Sequence, residues 1–266
     1  MKISFIGGGN MGGAMLAAVL VGGLSSPEEI TVSDISQSRR DYLRERYGVG
    51  VAGDNLRAVS RGEVIVLAVK PQNLTGLLEE LNGRFKPPQL VLSIMAGVRI
   101  GTLREGLNYN QIVRVMPNTP AQVGEGMSVW TATPEVTAEQ RSWAAAILGA
   151  MGRETCVADE EYIDMATAVS GSGPAYVFLF AEALIEAAMQ IGFDYDTAQE
   201  LVKQTISGAA VFMQQADKLP AELRQMVTSP GGTTAAALAR LEEGQFNRLI
   251  AEAVTAAYKR AGELGG

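Results

Sequence analysis

The sequence predicts an α/β N-terminal domain with a mostly parallel sheet, followed by an all-α C-terminal domain. Short β-branched segments alternate with helical ones in the first half, and alanine-rich helical periodicity takes over near residue 160. A chain of 266 residues is long enough to divide its core between two units. We therefore place one domain at residues 1–159 and a second at residues 160–266.

The first half carries the strands. Five segments are predicted to form the parallel sheet: Ile3–Gly7, Ile30–Asp34, Val64–Val69, Leu90–Met95 and Ile112–Met116. Strands that recur after helices are typical of βαβ units, in which helices cover both faces of the sheet. Two further strands, Gly126–Thr133 and Glu154–Asp159, are predicted to complete this half.

The second half carries amphipathic helices. In Asp196–Gln215 the apolar residues recur at spacings of three and four, and Asp196 with Gln199 marks the predicted helix start. A small unit built only from helices rich in Ala, Gly and Met leaves much apolar surface uncovered. We therefore expect a homodimer that forms through the C-terminal helices.

The composition excludes several functions. A formal net charge of −7 argues against a nucleic-acid partner, because such binding rests on clustered Lys and Arg. With no histidine and one cysteine, Cys156, the chain has neither imidazole catalysis nor a Cys/His metal site. We identify no leader segment and no apolar stretch of about 18 residues, so we expect a cytoplasmic protein without a membrane segment.

A glycine-rich loop follows the first predicted strand. Its residues, Gly7, Gly8, Gly9, Asn10, Met11 and Gly12, match G-x-G-x-x-G and lead into the predicted helix Met11–Val21. In the dinucleotide-binding Rossmann arrangement, the first glycine permits a tight turn, the second lets the backbone approach a pyrophosphate, and the third allows close packing. A turn without a ligand is the alternative. The flanking strand and helix, with Asp34 at the end of the second strand, favour a nucleotide site.

Asp34 bears on the choice between NADPH and NADH. A carboxylate at this position accepts from a ribose 2′-hydroxyl, which suits NADH. Against a 2′-phosphate it is repulsive by about 4 kcal/mol for unit charges ~4 Å apart at an effective dielectric of 20. Arg39 and Arg40 follow and either offset this charge or are solvated residues of the next helix. The sequence therefore leaves the cofactor as NADPH or NADH.

Five further segments distinguish the chain from a generic dinucleotide binder. They are Ala68-Val69-Lys70-Pro71-Gln72, Ala96-Gly97-Val98, Arg114-Val115-Met116-Pro117-Asn118-Thr119-Pro120, Ser170-Gly171-Ser172-Gly173-Pro174-Ala175-Tyr176, and the segment from Leu223 through Ser229-Pro230-Gly231-Gly232-Thr233-Thr234. In order and spacing, from Ile3 to about Leu264, the chain resembles the pyrroline-5-carboxylate reductase family.

The resemblance implies an oxidoreductase of proline biosynthesis. Its expected reaction is the reduction of the cyclic imine 1-pyrroline-5-carboxylate to L-proline by NAD(P)H. Members combine a Rossmann domain with a helical domain that interlocks between two subunits, and some assemble five such dimers into a decamer. The implied cofactor residues are Ile6, Gly7, Gly8, Gly9, Asn10, Met11, position 34, Asn55, Ala68, Val69, Lys70, Pro71, Ala96 and Gly97. Asp34 departs from the Ser or Thr that the family often has there. For Lys70, which follows a strand end, a solvated loop lysine is the alternative.

The substrate carboxylate is assigned to the loop before the predicted helix Ala235–Glu243. Free backbone amides at a helix start bind anions, and glycines allow close approach. The assigned residues are Ser229, Gly231, Gly232, Thr233 and Thr234. The resemblance implies that Thr234 hydrogen-bonds the ring nitrogen, whereas an ordinary N-cap is the alternative for either threonine.

Ser172 is the second catalytic candidate, beside Thr234. It is interpreted as orienting nicotinamide or substrate, with a helix kink or close helix packing around Gly173 and Pro174 as the alternative. A protonated iminium accepts a hydride without a strong enzymic acid, which suits a chain that lacks histidine.

Two other functions are weighed against this one. A related reductase could act on another cyclic imine or on a β-hydroxy acid, the latter needing a lysine such as Lys203. A nucleotide-sensing binding protein without turnover is the other alternative, although such a sensor would need no carboxylate-binding loop.

Overall fold

The predicted order of an α/β region followed by helices is confirmed by the computed structural model, which describes residues 1–265. The strands are Ile3–Ile6 (β1), Ile30–Ser33 (β2), Gly50–Ala52 (β3), Val64–Leu67 (β4), Leu90–Ser93 (β5), Ile112–Met116 (β6), Gly126–Ala132 (β7) and Gly152–Cys156 (β8). They form one sheet in the order β3-β2-β1-β4-β5-β6-β7-β8. Neighbouring strands are parallel except for the antiparallel pair β6 and β7.

The α-helices follow the strands and then continue alone. They are Asn10–Val21 (α1), Gln37–Tyr47 (α2), Asn55–Val59 (α3), Leu74–Leu81 (α4), Ile100–Leu107 (α5), Ala138–Gly149 (α6), Glu161–Ala166 (α7), Gly173–Gln190 (α8), Tyr195–Gln215 (α9), Pro220–Met226 (α10), Thr233–Glu243 (α11) and Phe246–Leu264 (α12). A π-helical turn, Thr167–Gly171, separates α7 from α8.

Two hydrophobic layers cover the sheet. Successive strand residues point to opposite faces, so Phe5 packs into one layer and Ile6 into the other. The first layer receives apolar side chains from α1, α2 and α6, and the second from α3, α4 and α5. Because both faces are buried, the central strands are mostly apolar and lack the alternation of a half-exposed sheet.

The structure differs from the prediction in one additional strand and in the boundaries of several elements. The short edge strand β3 was not predicted, because Gly50–Ala52 has too few residues to show a pattern. Strand β8 lies at Gly152–Cys156 and not at Glu154–Asp159, where acidic residues follow its end. Helix α9 begins at Tyr195, since Asp194 is the N-cap whose side chain accepts from the Thr197 N–H.

By contacts, the described chain divides into two units. One comprises Met1–Ser172 together with the C-terminal segment from Ala257, and the other comprises Gly173–Ala256. This division falls later than residue 159 because α7 packs against β6 and β7. In the C-terminal segment, the Tyr258 hydroxyl donates to a Glu161 carboxylate oxygen at 2.9 Å, and this hydrogen bond raises the pKa of the phenol.

The helical unit exposes many large apolar side chains in the single chain. On α8 these include Phe178 and Leu179, with exposed fractions of 60% and 67%. Further examples are Phe212, Met213, Leu249 and Ile250. By length and composition, one described helical stretch, Glu161–Gln190, could span a membrane, contrary to the sequence prediction. Its exposed apolar side chains also fit the expected subunit contact.

A buried ionic cluster joins β6 to its neighbours. The Arg114 side chain is 2% exposed and pairs with Glu160 at 2.7 Å and with Asp164 at 3.1 Å. Arg99 pairs with the second Asp164 oxygen at 2.9 Å. Glu160 also accepts the Ile100 N–H, the first of helix α5. The cluster therefore fixes α7 and the start of α5 on the sheet.

We expect Asp164→Ala to destabilise the protein by about 3 kcal/mol, because it leaves the buried Arg114 guanidinium with one carboxylate instead of two. Urea unfolding followed by circular dichroism measures this loss. Glu135→Ala is the matched control, since it breaks the exposed Arg104–Glu135 pair and should change stability by less than about 1 kcal/mol. Equal losses in both variants would contradict a structural role for the cluster.

Candidate functional site

The glycine loop between β1 and α1 has the geometry that the motif predicts. Gly7 has a φ of +99°, and a Cβ there would lie 2.8 Å from the Ala68 carbonyl oxygen. A Cβ at Gly12 would lie 2.5 Å from the Gly7 carbonyl oxygen, so the third glycine permits the helix to approach the loop. At Gly9 nothing lies within 4 Å of an added Cβ. The backbone at Gly9 is therefore open to an approaching ligand.

Helix α1 starts without a side-chain cap. Gly9 is its N-cap and offers no side chain to accept from the first-turn amides, which belong to Asn10, Met11 and Gly12. Helix α1 has no acidic residue in its first turn. Unpaired N–H groups and the positive end of the helix dipole favour an anion at this position.

Asp34 lies beside this loop and is already hydrogen-bonded. One carboxylate oxygen accepts the Gly8 N–H at 2.9 Å, and the other accepts the Ser36 N–H at 2.8 Å. Each oxygen has a further lone pair for a ribose hydroxyl. The carboxylate thus both shapes the loop and presents negative charge where β2 ends.

The two arginines after Asp34 contact the loop backbone. Arg39 Nε donates to the Gly8 carbonyl at 2.5 Å, and its guanidinium carbon lies 4.8 Å from the centroid of the Tyr42 ring. Arg40 donates to the Asp34 carbonyl at 2.5 Å and to the Gln37 side chain. Neither is therefore a freely solvated residue of α2, and both bring positive charge close to Asp34.

Asn55 connects the end of β2 with α4. Its Oδ1 accepts from the Ser33 hydroxyl at 2.5 Å, and its Nδ2 donates to Glu80 at 2.7 Å. Asn55 is the first residue of α3, whose N-cap is Asp54. These contacts are structural, and they hold the Asn55 amide at the same edge of the sheet as Asp34.

The loops after β4 and β5 complete this edge. The Ala68 N–H donates to the Ile6 carbonyl at 2.8 Å, so the segment Ala68–Pro71 begins directly beside the glycine loop. Lys70 is exposed and, among residues 1–265, its ammonium group forms no ion pair. Ala96 is exposed, and Gly97 has a φ of +72°.

The fold thus brings the predicted cofactor residues to one edge. They follow β1, β2, β3, β4 and β5, and the carboxyl ends of parallel strands are where open α/β sheets bind ligands.

Ser172 follows the π-helical turn directly. Its N–H donates to the Thr167 carbonyl at 2.8 Å. A Cβ at Gly171 would lie 2.6 Å from the Met116 methyl carbon, so this turn packs closely on β6. The helix irregularity and close packing that the sequence offered as the alternative interpretation of Ser172 are therefore present.

The predicted substrate loop belongs to the helical unit. Gly231 has a φ of +68°, and the Gly232 N–H donates to the Ser229 carbonyl at 3.0 Å. Helix α11 begins at Thr233, two residues before the predicted Ala235, and its N-cap is Gly232 without a side-chain cap. Neither Thr233 nor Thr234 is therefore the N-cap, and the first-turn amides stay available to an anion.

Lys203 lies in an ordinary helical environment. Its ammonium group donates to the Gln199 side chain one turn earlier on α9. The surrounding surface is lined by polar residues of α9 alone, including Asp196 and Gln204. This placement gives no support to a hydroxy-acid mechanism.

Sequence reasoning missed the cluster of Arg114 with Glu160 and Asp164, and the amide of Asn118. The available signal was an arginine inside an otherwise apolar strand, with two acids spaced one helical turn apart. Within residues 1–265, no group of His, Cys, Asp and Glu is suited to a metal ion, and Cys156 is an exposed free thiol.

Two known families match successive parts of the chain. Residues 2–97 match the family NADP oxidoreductase coenzyme F420-dependent, and residues 160–264 match pyrroline-5-carboxylate reductase dimerisation. The second match covers most of the helices that expose apolar side chains, so this surface lies in a dimerisation domain.

Relatives and solved structures agree over the full length. The chain is 44% identical over 265 residues to a pyrroline-5-carboxylate reductase of Synechocystis sp., covering 100% of this chain and 98% of the relative. It is 40% identical to that of Pseudomonas aeruginosa, covering 99% and 96%.

Two solved structures share the fold closely. The pyrroline-5-carboxylate reductase of Coxiella burnetii superposes with a TM-score of 0.93 at 39% identity, covering 100% of this chain and 98% of the other. The Plasmodium falciparum pyrroline carboxylate reductase, solved with NADP bound, gives 0.90 at 31% identity with the same coverage. Full-length agreement in sequence and fold establishes that this chain belongs to the pyrroline-5-carboxylate reductase family.

Proposed function

We propose that this chain reduces 1-pyrroline-5-carboxylate to L-proline, with the nucleotide at the carboxyl edge of the sheet and the substrate carboxylate at the start of α11. The observation that carries the proposal is the pair of helix starts, in α1 and α11, that have a glycine N-cap and no side-chain cap. Each leaves a set of backbone amides for an anion. The reaction has two anions to bind, a pyrophosphate and a carboxylate.

In the nucleotide site, backbone amides and charged side chains bind different parts of the cofactor. The amides of Asn10 and Met11 bind the pyrophosphate, and the open backbone at Gly9 lets it approach. Asp34 accepts from the adenosine ribose, while Lys70 supplies a cation beside the phosphates. The Ala96–Gly97 segment lines the cofactor, as the resemblance implies.

The substrate site orients a preformed electrophile. When bound, NAD(P)H supplies the hydride. The iminium carbon accepts it, the C=N π electrons become the nitrogen lone pair, and the nitrogen keeps the proton that it already carried. Thr234 hydrogen-bonds this nitrogen and the loop from Ser229 holds the carboxylate, so the chain contributes positioning and a polar environment. No histidine or other strong acid is needed in this step.

The assembly follows from the helical unit. Phe178, Leu179 and their neighbours are buried in a homodimer through the dimerisation domain, which removes their apolar surface from water. A decamer of five dimers is a further expectation from the resemblance. The mass of the protein in solution distinguishes a dimer from a decamer. We place the enzyme in the cytoplasm.

The test of the function is the initial rate of NADPH and NADH oxidation with 1-pyrroline-5-carboxylate, with a six-membered cyclic imine carboxylate as control. Faster turnover of the five-membered substrate is the expected result. Absence of turnover with nucleotide binding intact would indicate a nucleotide sensor, and preference for the six-membered ring would indicate a different imine.

Thr234→Ala should lower kcat/KM for the imine by about 10–100-fold, because it removes a hydrogen bond to the reacting nitrogen. Nucleotide affinity, measured by fluorescence titration, should be unchanged. The control is Thr255→Ala, whose hydroxyl bonds its own helix carbonyl at Ala251. A normal kcat/KM for Thr234→Ala would remove the hydroxyl from the mechanism.

Asp34→Ser should raise the NADPH/NADH ratio of kcat/KM by about tenfold or more, because it removes negative charge beside the ribose and leaves Arg39 and Arg40 to attract a 2′-phosphate. Asp41→Ser is the control. Asp41 is an acid of α2, the helix that carries Arg39 and Arg40, and its carboxylate pairs with Arg44. If the ratio does not move, or moves equally in both variants, Asp34 does not discriminate between the cofactors.

A further inference from the structure

Alternate residues of β6 and its extension contact one helical segment, residues 160–172. Arg114 pairs with Glu160, the N-cap of α7, and with Asp164 within α7, and the Met116 methyl carbon packs on Gly171. Asn118 Nδ2 donates to the Ser170 carbonyl at 3.0 Å. Side chains two apart on an extended chain point to the same side, which explains why these three reach successive points of the segment.

The orientation of the Asn118 amide is fixed by two backbone groups. The Met127 N–H donates to its Oδ1 at 2.8 Å, while its Nδ2 donates to the Ser170 carbonyl. One partner is only a donor and the other only an acceptor, so the amide has a single favourable orientation. Asn118 therefore links strand β7 to the π-helical turn.

The π-helical turn itself sets the backbone of Ser172. The hydrogen bond from the Ser172 N–H to the Thr167 carbonyl spans five residues, one more than in an α-helix. The Asn118 amide donates to the carbonyl of Ser170, two residues before Ser172, and Pro174 at the i+4 position of Ser170 has no N–H to offer this carbonyl. Turns of this kind occur frequently at functional sites.

We propose that Asn118 is a positioning residue of the reductase, which acts through the π-helical turn on Ser172. The proposal rests on the proposed role of Ser172 in orienting nicotinamide or substrate. The π-helical turn sets the backbone of Ser172, and this backbone directs the Ser172 hydroxyl. Losing the Asn118 donor would leave the Ser170 carbonyl without its side-chain partner and would release the turn that carries Ser172.

Asn118→Asp tests this role with the smallest change in shape. The carboxylate still accepts the Met127 N–H but faces the Ser170 carbonyl with an oxygen in place of the donor. We expect kcat to fall by about 10–100-fold, since displacements of about 1 Å have effects of this size, while the Kd of NADH changes by less than about twofold. Asn82→Asp is the matched control, because Asn82 Nδ2 donates to the Gly106 carbonyl at 2.7 Å away from this turn. It should leave kcat unchanged.

A double-mutant cycle with Ser172→Ala separates positioning from general destabilisation. In the Ser172→Ala background, Asn118→Asp should change kcat by less than about twofold, because the hydroxyl it positions is absent. Additive losses would overturn the proposal. Full activity of Ser172→Ala would remove Ser172 from the proposed function. It would also overturn the proposal that Asn118 positions Ser172. A normal Asn118→Asp beside an impaired Ser172→Ala would overturn the positioning alone.

Hydrogen exchange gives a readout that does not depend on activity. Asn118→Ala, which removes both amide contacts without adding charge, should accelerate exchange of the Ser172 amide and leave the Gly83 amide, bonded to Leu107, unchanged. Asn118→Ala also replaces Asn118→Asp as the test variant if Asn118→Asp does not fold. Unchanged protection at Ser172 would contradict the proposed link.

Discussion

A guanidinium buried in a sheet has to be neutralised where it lies, and Arg114 imposes this requirement on the N-terminal unit. Its two carboxylates come from one helix start, so burying the charge also determines where α7 packs. The same acids receive Arg99 and the first amide of α5, directly after the loop that carries Gly97. A hydrophobic side chain of similar size would fill the space without directing either element.

The proposed chemistry is carried mainly by backbone groups. Gly9 and Gly232 are both N-caps without a side chain, and each leaves first-turn amides unpaired at the end of a helix. A serine or aspartate cap would stabilise each helix by about a few tenths of a kcal/mol relative to glycine but would occupy the amides that bind the anions. The sequence therefore gives up local helix stability at the two positions where a ligand replaces the cap.

The strands, the glycine loop and the family could be predicted because their signals are local. Val64–Leu67 and similar segments are apolar on both faces, and Gly7, Gly9 and Gly12 have to lie where one turn requires them. The Arg114 cluster could not be predicted in this way, because its acids lie 46 and 50 residues further along the chain. The start of α11 was placed two residues late, since a glycine cap leaves no side-chain pattern to identify.

The return of α12 to the first unit has a consequence for how the protein is made. Leu264 packs on Gly97. This contact joins the end of α12 to a loop that the ribosome synthesises long before it. The sheet can form while the ribosome is still adding the helices, but the Gly97 loop lacks this contact until the end of α12 has emerged. Because the Gly97 segment belongs to the proposed nucleotide site, nucleotide binding should mature only after α12 has been synthesised.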